Sequence, residues 1–370
     1  MNKRERTISA GAATLLALCF SAEASADDGQ FFGLLRERDL TTFGFLRLDM
    51  RPAHAVSIET GTWAVEVGLG YQNTWALSKE VEDYLTAREP LGRQALGPDD
   101  LEAIKALPGE NYLLDLESGE LDVTLHYKFA AHWTAYVIGS AVSYDGGFLD
   151  GTIEKFHRTF GFETFGRPAV RRNDVTLIYD LKSVQVASFG LPKDGGLLDP
   201  TVGVRYTGLR LPDPWHMAIE VAIKVPVGGE RQLLSTGHVD YGVQASVQRR
   251  GRRHALYADV AAVYYGGAEW PVPQDSDVIP TLILGYEYQW TARTNINVQA
   301  YASKSVYSKQ DTDLTDLTNT KYQYSLGVRH RIKDYLLTFG FTENVQNINN
   351  TPDIGFQLGF AYVPHPARQR

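Results

Sequence analysis

The chain has 370 residues, a formal net charge of -8 at pH 7 and a mean hydropathy of -0.24. The acidic balance argues against a nucleic-acid partner, which needs a basic excess to displace phosphate counterions, and the hydropathy lies below that of a helical membrane protein. Cys19 is the only cysteine, so the chain beyond it can form no internal disulfide and no thiolate metal site, and no cofactor is implied.

Residues 1–26 read as a secretory signal peptide: Lys3, Arg4 and Arg6 form a charged start, residues 10–20 are apolar, and Ala24, Ser25 and Ala26 suit a signal peptidase. Asp27 is then the first mature residue and Cys19 is removed; Leu18, where a lipidated cysteine wants a small residue, argues against a lipoprotein. No later stretch has the ~18 to 20 apolar residues of a membrane helix. Residues 27–61 form an N-terminal segment. It contains a strand-like run at 43–50 but breaks the parity of the later strands, and is expected to plug the barrel, line its lumen or add strands.

From residue 62 the chain alternates with period two. Trp63, Val65, Val67, Leu69 and Tyr71 share one face, Ala64, Glu66, Gly68 and Gly70 the other. An aromatic at each end of an aliphatic centre matches the two edges of a hydrocarbon layer. The pattern recurs with Leu121, Val123, Leu125, Tyr127 and Phe129, with Met217 to Val225, with Leu282 to Trp290, with Tyr322 to Val328, with Leu337, Phe339 and Phe341, and with Ile354, Phe356, Leu358, Phe360 and Tyr362. The aromatic last strand resembles an outer-membrane assembly signal, followed by a tail at 364–370.

Short links at 130–132, 211–215, 250–253, 291–293 and 333–334 alternate with long links at 76–111, 145–198, 227–239, 266–279 and 308–320. Barrels put short turns in the periplasm and long loops outside. The expectation is all-β: a closed antiparallel transmembrane barrel of about twelve strands over 62–363. An alternative of about fourteen strands uses 42–50 and 175–187. Short helices are expected in the long loops, opening near Ser78, near Pro98 and at Asp150, with amphipathic faces that need covering, for which the barrel mouth is the candidate. In the run 249–253, Gly251 is expected to take positive φ in a tight hairpin.

Three phrases then carry a resemblance: Gly146-Gly-Phe-Leu-Asp-Gly-Thr-Ile-Glu-Lys-Phe-His157, Lys224-Val-Pro-Val-Gly228 and Leu234-Ser-Thr-Gly-His-Val-Asp240. With Trp63 and Asn73-Thr-Trp75 they resemble an uncharacterised Gram-negative outer-membrane family, domain-of-unknown-function family thirty-one eighty-seven, over roughly 40–362. Val227 stands where the family pattern has threonine. The resemblance implies an outer-membrane barrel, handled by barrel-assembly machinery and bathed in outer-membrane lipid. It implies no activity.

The inward face is charged and mixed in sign. Glu66, Glu120, Asp122, His126, Lys128, Arg205, Glu220, Lys224, Asp240, Asp259, Glu287, Arg329 and Arg331 are the candidate lumen residues. They fit a narrow or gated passive conduit, or a binding vestibule, for a small solute. They also fit a structural or assembly-linked barrel with a plugged lumen. In the loop motif at Asp150, Glu154 and His157, the last two share a helix face but form too small a set for a metal. Ser235, His238 and Asp240 raise the third reading, a surface lipid hydrolase, yet crowd into one turn, so no catalytic residue is assigned.

Overall fold

The computed structural model describes residues 30–39, 44–53, 58–190, 194–343, 351 and 354–364. The signal-peptide reading and nearly all of the tail lie outside them. Fifteen strands form one sheet: β1 (Trp63–Leu77), β2 (Asn111–Ala130), β3 (Trp133–Asp145), β4 (Thr176–Asp180), β5 (Gln185–Ser188), β6 (Gly195–Leu197), β7 (Thr201–Tyr206), β8 (Trp215–Lys224), β9 (Asp240–Arg250), β10 (His254–Tyr265), β11 (Asp277–Thr291), β12 (Thr294–Ser303), β13 (Lys321–Ile332), β14 (Tyr335–Glu343) and β15 (Ile354–Tyr362). Three of these, β4, β5 and β6, branch off above the wall. The other twelve pair antiparallel in succession, and β15 returns to β1 with Val65 opposite Tyr362 and Asn73 opposite Ile354, closing the barrel. Closure leaves the wall without an unpaired edge, the condition for backbone in a bilayer.

The alternation has its expected sense. Outward side chains such as Leu69, Val123, Val221, Val260, Leu326 and Leu358 are exposed although apolar, whereas inward neighbours such as Glu120, Asp122, Glu220, Asp259 and Arg329 are buried. A water-soluble surface does not carry an apolar belt around its whole girth; a lipid-facing wall does. Aromatic pairs mark the belt's two edges. At the short-turn end Trp63 stacks on Tyr127 at 4.4 Å, Trp133 meets Tyr206 at 4.6 Å and Tyr335 meets Tyr362 at 5.5 Å. At the long-loop end Tyr241 lies 6.4 Å from Tyr264, and Phe341 5.6 Å from Phe356.

The fourteen-strand alternative is overturned. Within 42–50, the described residues form a 3-10 turn, Gly44–Leu46, and an extended run that joins no ladder. Residues 175–187 supply β4 and β5, which extend the sheet above the wall: β2 pairs with β3 from Glu117 downward and with β4 over Asn111–Asp115. The result is a flap, β5-β4-β2-β1, standing on the long-loop end. Its inner face, with Tyr112, Leu114, Leu116, Leu177 and Tyr179, clusters with Leu233 and Leu234, Val272, Leu317 and Leu46. Leu233, Leu234, Val272 and Leu317 come from the loops across the barrel and Leu46 from the N-terminal segment inside it, so this apolar cluster roofs the mouth. Hydrogen bonds latch it: Lys182 reaches the Lys309 carbonyl and Asp313, both at 2.6 Å, and the Tyr179 and Tyr307 hydroxyls meet at 3.1 Å.

Three helices form where the apolar spacing places them: α1 (Lys79–Arg88), α2 (Pro98–Lys105) and α3 (Asp150–Phe160). Pro98 opens α2, with Asp100 accepting from the Gly97 backbone at 2.9 Å. The expectation that these helices cover the mouth needs correction. Val81, Leu85 and Ile104 pack with Trp75, Leu77, Leu113 and Ile178 on the flap's outer face, because successive flap residues alternate sides and the inner set is already taken by the roof. Two turn details also differ. The link between β7 and β8 runs over 207–214, longer than the short turn expected there. Gly251 is not among the positive-φ glycines, since its N–H closes the β9–β10 link onto the His254 carbonyl at 2.8 Å without a left-handed residue; Lys333 takes positive φ, 55°, in the two-residue link before β14.

Candidate functional site

Strand spacing of ~4.8 Å and tilt of ~40° give a twelve-stranded wall a backbone radius of roughly 12 Å. Side chains then leave a lumen wide enough for two extended chains, and two chains occupy it. Residues 30–39 run along β11, β12 and β13; residues 44–53 run along β8 and β9. The limbs bind each other: Arg47 pairs with Asp39 at 2.7 Å, the Asp39 N–H donates to Asp49 at 2.6 Å, and Arg36 donates to the Pro52 carbonyl at 3.0 Å.

Among the described residues this plug joins no ladder, so its backbone polar groups need other satisfaction. Wall side chains supply it. Glu287 accepts the N–H groups of Phe32 and Gly33 at 2.7 and 3.0 Å. Asn295 donates to the Gln30 carbonyl and Asn297 to that of Gly33, each at 2.8 Å, while Gln299 both accepts from and donates to the Leu35 backbone. One Arg329 nitrogen donates to the Phe32, Gly33 and Leu34 carbonyls at 2.6, 3.2 and 2.9 Å. On the other limb Lys224 donates to the Leu46 carbonyl at 2.9 Å, Asp240 accepts the Leu48 N–H at 2.7 Å, and Gln244 donates to the Arg51 carbonyl at 3.1 Å.

Charge pairing is the second layer. Arg36 meets Glu66 at 2.8 Å; Arg38 and Arg51 both meet Asp122, at 3.1 and 2.9 Å, and Glu120 lies 4.0 Å from Arg38. Asp39 is held by Lys321 at 2.9 Å. The mixed sign of the lumen thus has a local cause: acidic residues of β1 and β2 face the plug's arginines. The third layer is steric. At Gly285 and Gly327 an added Cβ would fall 2.2 Å from a Leu34 methyl and 2.7 Å from a Leu35 methyl. Both leucines are fully buried, each worth roughly 1.5 to 3 kcal/mol of transfer free energy. A cavity of about 60 Å³ remains between plug and wall, lined by Arg36, Arg51, Glu66, Asp122 and Arg329 among others. It has room for a few waters.

The other candidate lumen residues sit as follows. His126 is buried 3.5 Å from Glu66. Lys128 is buried near the short-turn end, its backbone paired with Gly61 and Thr62. Arg205 and Glu220 pair within the wall at 2.6 Å, with the Tyr136 hydroxyl on Glu220 at 2.7 Å. Lys224 also reaches Asp240 at 3.1 Å and Asp199 at 3.6 Å. Asp259 is buried on β10. Arg331 lies at the short-turn rim, donating to the Lys333 and Val363 carbonyls at 3.0 and 2.9 Å.

The loop motif works as a clasp. Asp150 accepts from Arg167 at 2.9 Å and from the Asn173 N–H at 2.9 Å, and Glu154 binds Arg93 and Arg172, each at 2.5 Å. Burial pushes the Glu154 carboxyl up, but the bonds from Arg172 and Arg93 outweigh it and hold the group below its ordinary value of 4.5. His157 turns away to the Glu163 carbonyl at 2.7 Å. Ser235, His238 and Asp240 do not converge: Ser235 donates to Asp199 at 2.6 Å, His238 meets the Thr236 carbonyl at 3.0 Å, and Asp240 is taken by Lys224 and the backbone. Among the described residues no group of three or more His, Cys, Asp or Glu could hold a metal.

Reasoning from charge missed half of the site. Asn295, Asn297 and Gln299 alternate along β12, and three successive inward amides were the available signal for a wall that binds backbone. The plug's own Arg36, Arg38, Asp39, Arg47 and Arg51 had none, because an extended chain inside a barrel carries no period of its own.

Among curated proteins none matches the chain. Solved structures similar in fold include the COG4313 outer membrane channel from Pseudomonas putida F1, with a TM-score of 0.46 and 10% identity over 84% of this chain and 98% of that one. The NanC porin has a TM-score of 0.41 and 9% identity over 80% and 98%. The toluene transporter TbuX of Ralstonia pickettii has a TM-score of 0.37 and 10% identity over 83% and 90%. A family model matches residues 106–363, which include the 146–157, 224–228 and 234–240 phrases but not Trp63 or 73–75. The chain therefore belongs to the family described as protein of unknown function (DUF3187).

Proposed function

We propose that this outer-membrane barrel is a gated passive channel for a small solute, closed in the conformation described, with the limbs 30–39 and 44–53 as the gate. One observation carries the reading. The described plug residues are held through side-chain hydrogen bonds and ion pairs that water can replace when the plug leaves, and release must also expose Phe31, Phe32, Leu34, Leu48 and Met50, which pack on apolar wall residues. The strands do not depend on it, because every wall strand has both neighbours without it. The vacated lumen would carry Glu66, Glu120, Asp122, Glu220 and Glu287 interleaved with Arg205, Lys224 and Arg329. No single-sign ring results, so weak ion selectivity is expected.

The roof favours a second reading, a structural barrel with a permanent plug, since an apolar cluster also seals the mouth. Planar-bilayer recording separates the two. One variant deletes residues 30–58; another also replaces 176–188 with a short glycine-serine link. The gated reading expects occasional discrete current steps from the intact chain, more from the single deletion and sustained current from the double variant. An intact chain that inserts, folds and stays silent while the double variant conducts supports the structural barrel.

A further inference from the structure

On β1 the outward face is open to lipid as far as Tyr71; beyond it Asn73 and Trp75 are buried under the loops. Trp63 and Tyr71 are eight residues apart, ~20 Å along the membrane normal at a ~40° tilt, so Tyr71 marks the outer edge of a belt ~25 Å tall. At that edge Phe148 stacks on Tyr71, ring centroids 5.0 Å apart, and is itself 68% exposed. Phe148 leads into α3, which is clamped to the outward side of the β1–β2 hairpin. Glu117 accepts the N–H groups of Phe148 and Leu149 at 3.0 and 2.8 Å, and Arg167 bridges Asp150 and Asn73 at 2.9 and 2.8 Å. The buried side of α3 is Asp150, Ile153 and Glu154. Its other side shows Phe156 and Phe160, joined by Phe162, at 49%, 64% and 56% exposure, with Phe156 4.7 Å from Phe160 and 5.8 Å from Phe162. Lys155 and Arg158 are exposed on the same helix.

Aromatics exposed together need an apolar partner, and this patch is continuous with the lipid-facing wall through the Tyr71–Phe148 stack. A helix with phenylalanines on one side and basic residues beside them is suited to lie in a membrane interface. We infer that residues 148–162 are an interfacial anchor. Phe148, Phe156, Phe160 and Phe162 are embedded in the leaflet beneath the long loops, and Lys155 and Arg158 contact its phosphate-bearing headgroups. The inference rests on the wall's lipid face and is independent of the gating reading.

A spin label tests it, since downstream of Cys19 the chain has no cysteine to compete. Phe160→Cys is labelled and the protein reconstituted in phosphatidylcholine–phosphatidylglycerol vesicles. Collision rates with oxygen and with a water-soluble nickel chelate are then compared. Leu69→Cys on the lipid wall and Glu102→Cys on α2 are the lipid and water references. The oxygen-to-nickel ratio at 160 should approach that at 69 and exceed that at 102 several-fold. Lys155→Glu with Arg158→Glu should lower it in the anionic vesicles. A ratio at 160 matching that at 102 overturns the anchor. So does low access to both probes, which would place a second copy or another protein segment on the patch. An unchanged ratio in the charge-reversed variant overturns the headgroup contact.

Discussion

Val123 and its neighbour Asp122 give opposite tests of the wall. Val123 is 41% exposed and lies opposite Val67, midway between the Trp63–Tyr127 stack and Tyr71. Near the midplane an arginine on the lipid face costs about 2 to 4 kcal/mol. Val123→Arg should therefore lower the unfolding free energy by that amount. Asp122 points the other way and serves two plug arginines, Arg38 at 3.1 Å and Arg51 at 2.9 Å, with the Ser140 hydroxyl at 2.5 Å. Removing one partner of a buried pair costs ~3 to 5 kcal/mol. In Asp122→Asn the unpaired arginines can leave with the plug, so the loss falls on its seat rather than on the wall. Reversible urea unfolding from vesicles measures the first effect; trypsin cleavage at Arg36, Arg38 or Arg51 under native conditions measures the second. Val123→Arg should lose stability with the plug still protected, and Asp122→Asn should expose the plug with little change in barrel unfolding. Equal losses of barrel stability would mean the register is displaced by one residue. Cleavage in Val123→Arg alone would refute the plug's seating.

Other outcomes rest on the same contacts. Gly285→Val puts atoms where Leu34 lies and should raise plug cleavage, with an overpacking cost of ~1 to 3 kcal/mol. Arg329→Ala removes the donor shared by three plug carbonyls and should do the same, while Arg331→Ala at the rim should not. The α3 clasp should depend on acid. The Glu154 carboxyl is held below its ordinary value of 4.5, so its contribution is complete above 4.5 and is lost as pH falls through the lower folded value. Hydrogen exchange in 146–175 should therefore quicken at acid pH, and Glu154→Gln should exchange quickly at pH 7 as well.

The wall was legible in the sequence because the bilayer imposes a period of two on every strand: the facing of Trp63 to Tyr71, Leu121 to Phe129 and Leu282 to Trp290 comes from alternation alone. Helices α1, α2 and α3 were legible from apolar spacing, but not what they cover, since Val81 and Ile104 would look the same over the mouth or behind a flap. The plug was legible only as a break in parity. Its residues satisfy their backbone through Glu287, Asn297, Gln299 and Arg329, partners about 250 or more positions away, and no local pattern encodes such pairings. Glu66 on β1, half-buried, and Asp122 on β2, buried, pair with plug arginines, yet they read as a solute path because those arginine partners lay in a segment with no period of its own.

The most direct test of the gate is a reversible lock. A Cβ at Gly285 would lie 3.0 Å from the Leu34 Cγ, which puts the two Cβ atoms within about 4.5 Å, the reach of a disulfide. With Leu34→Cys and Gly285→Cys in one chain, single-channel current is recorded before and after reduction. A plug that gates the lumen predicts silence while the bond is intact and discrete openings once it is reduced. The same current record in both states would contradict the claim that the limbs 30–39 and 44–53 control passage.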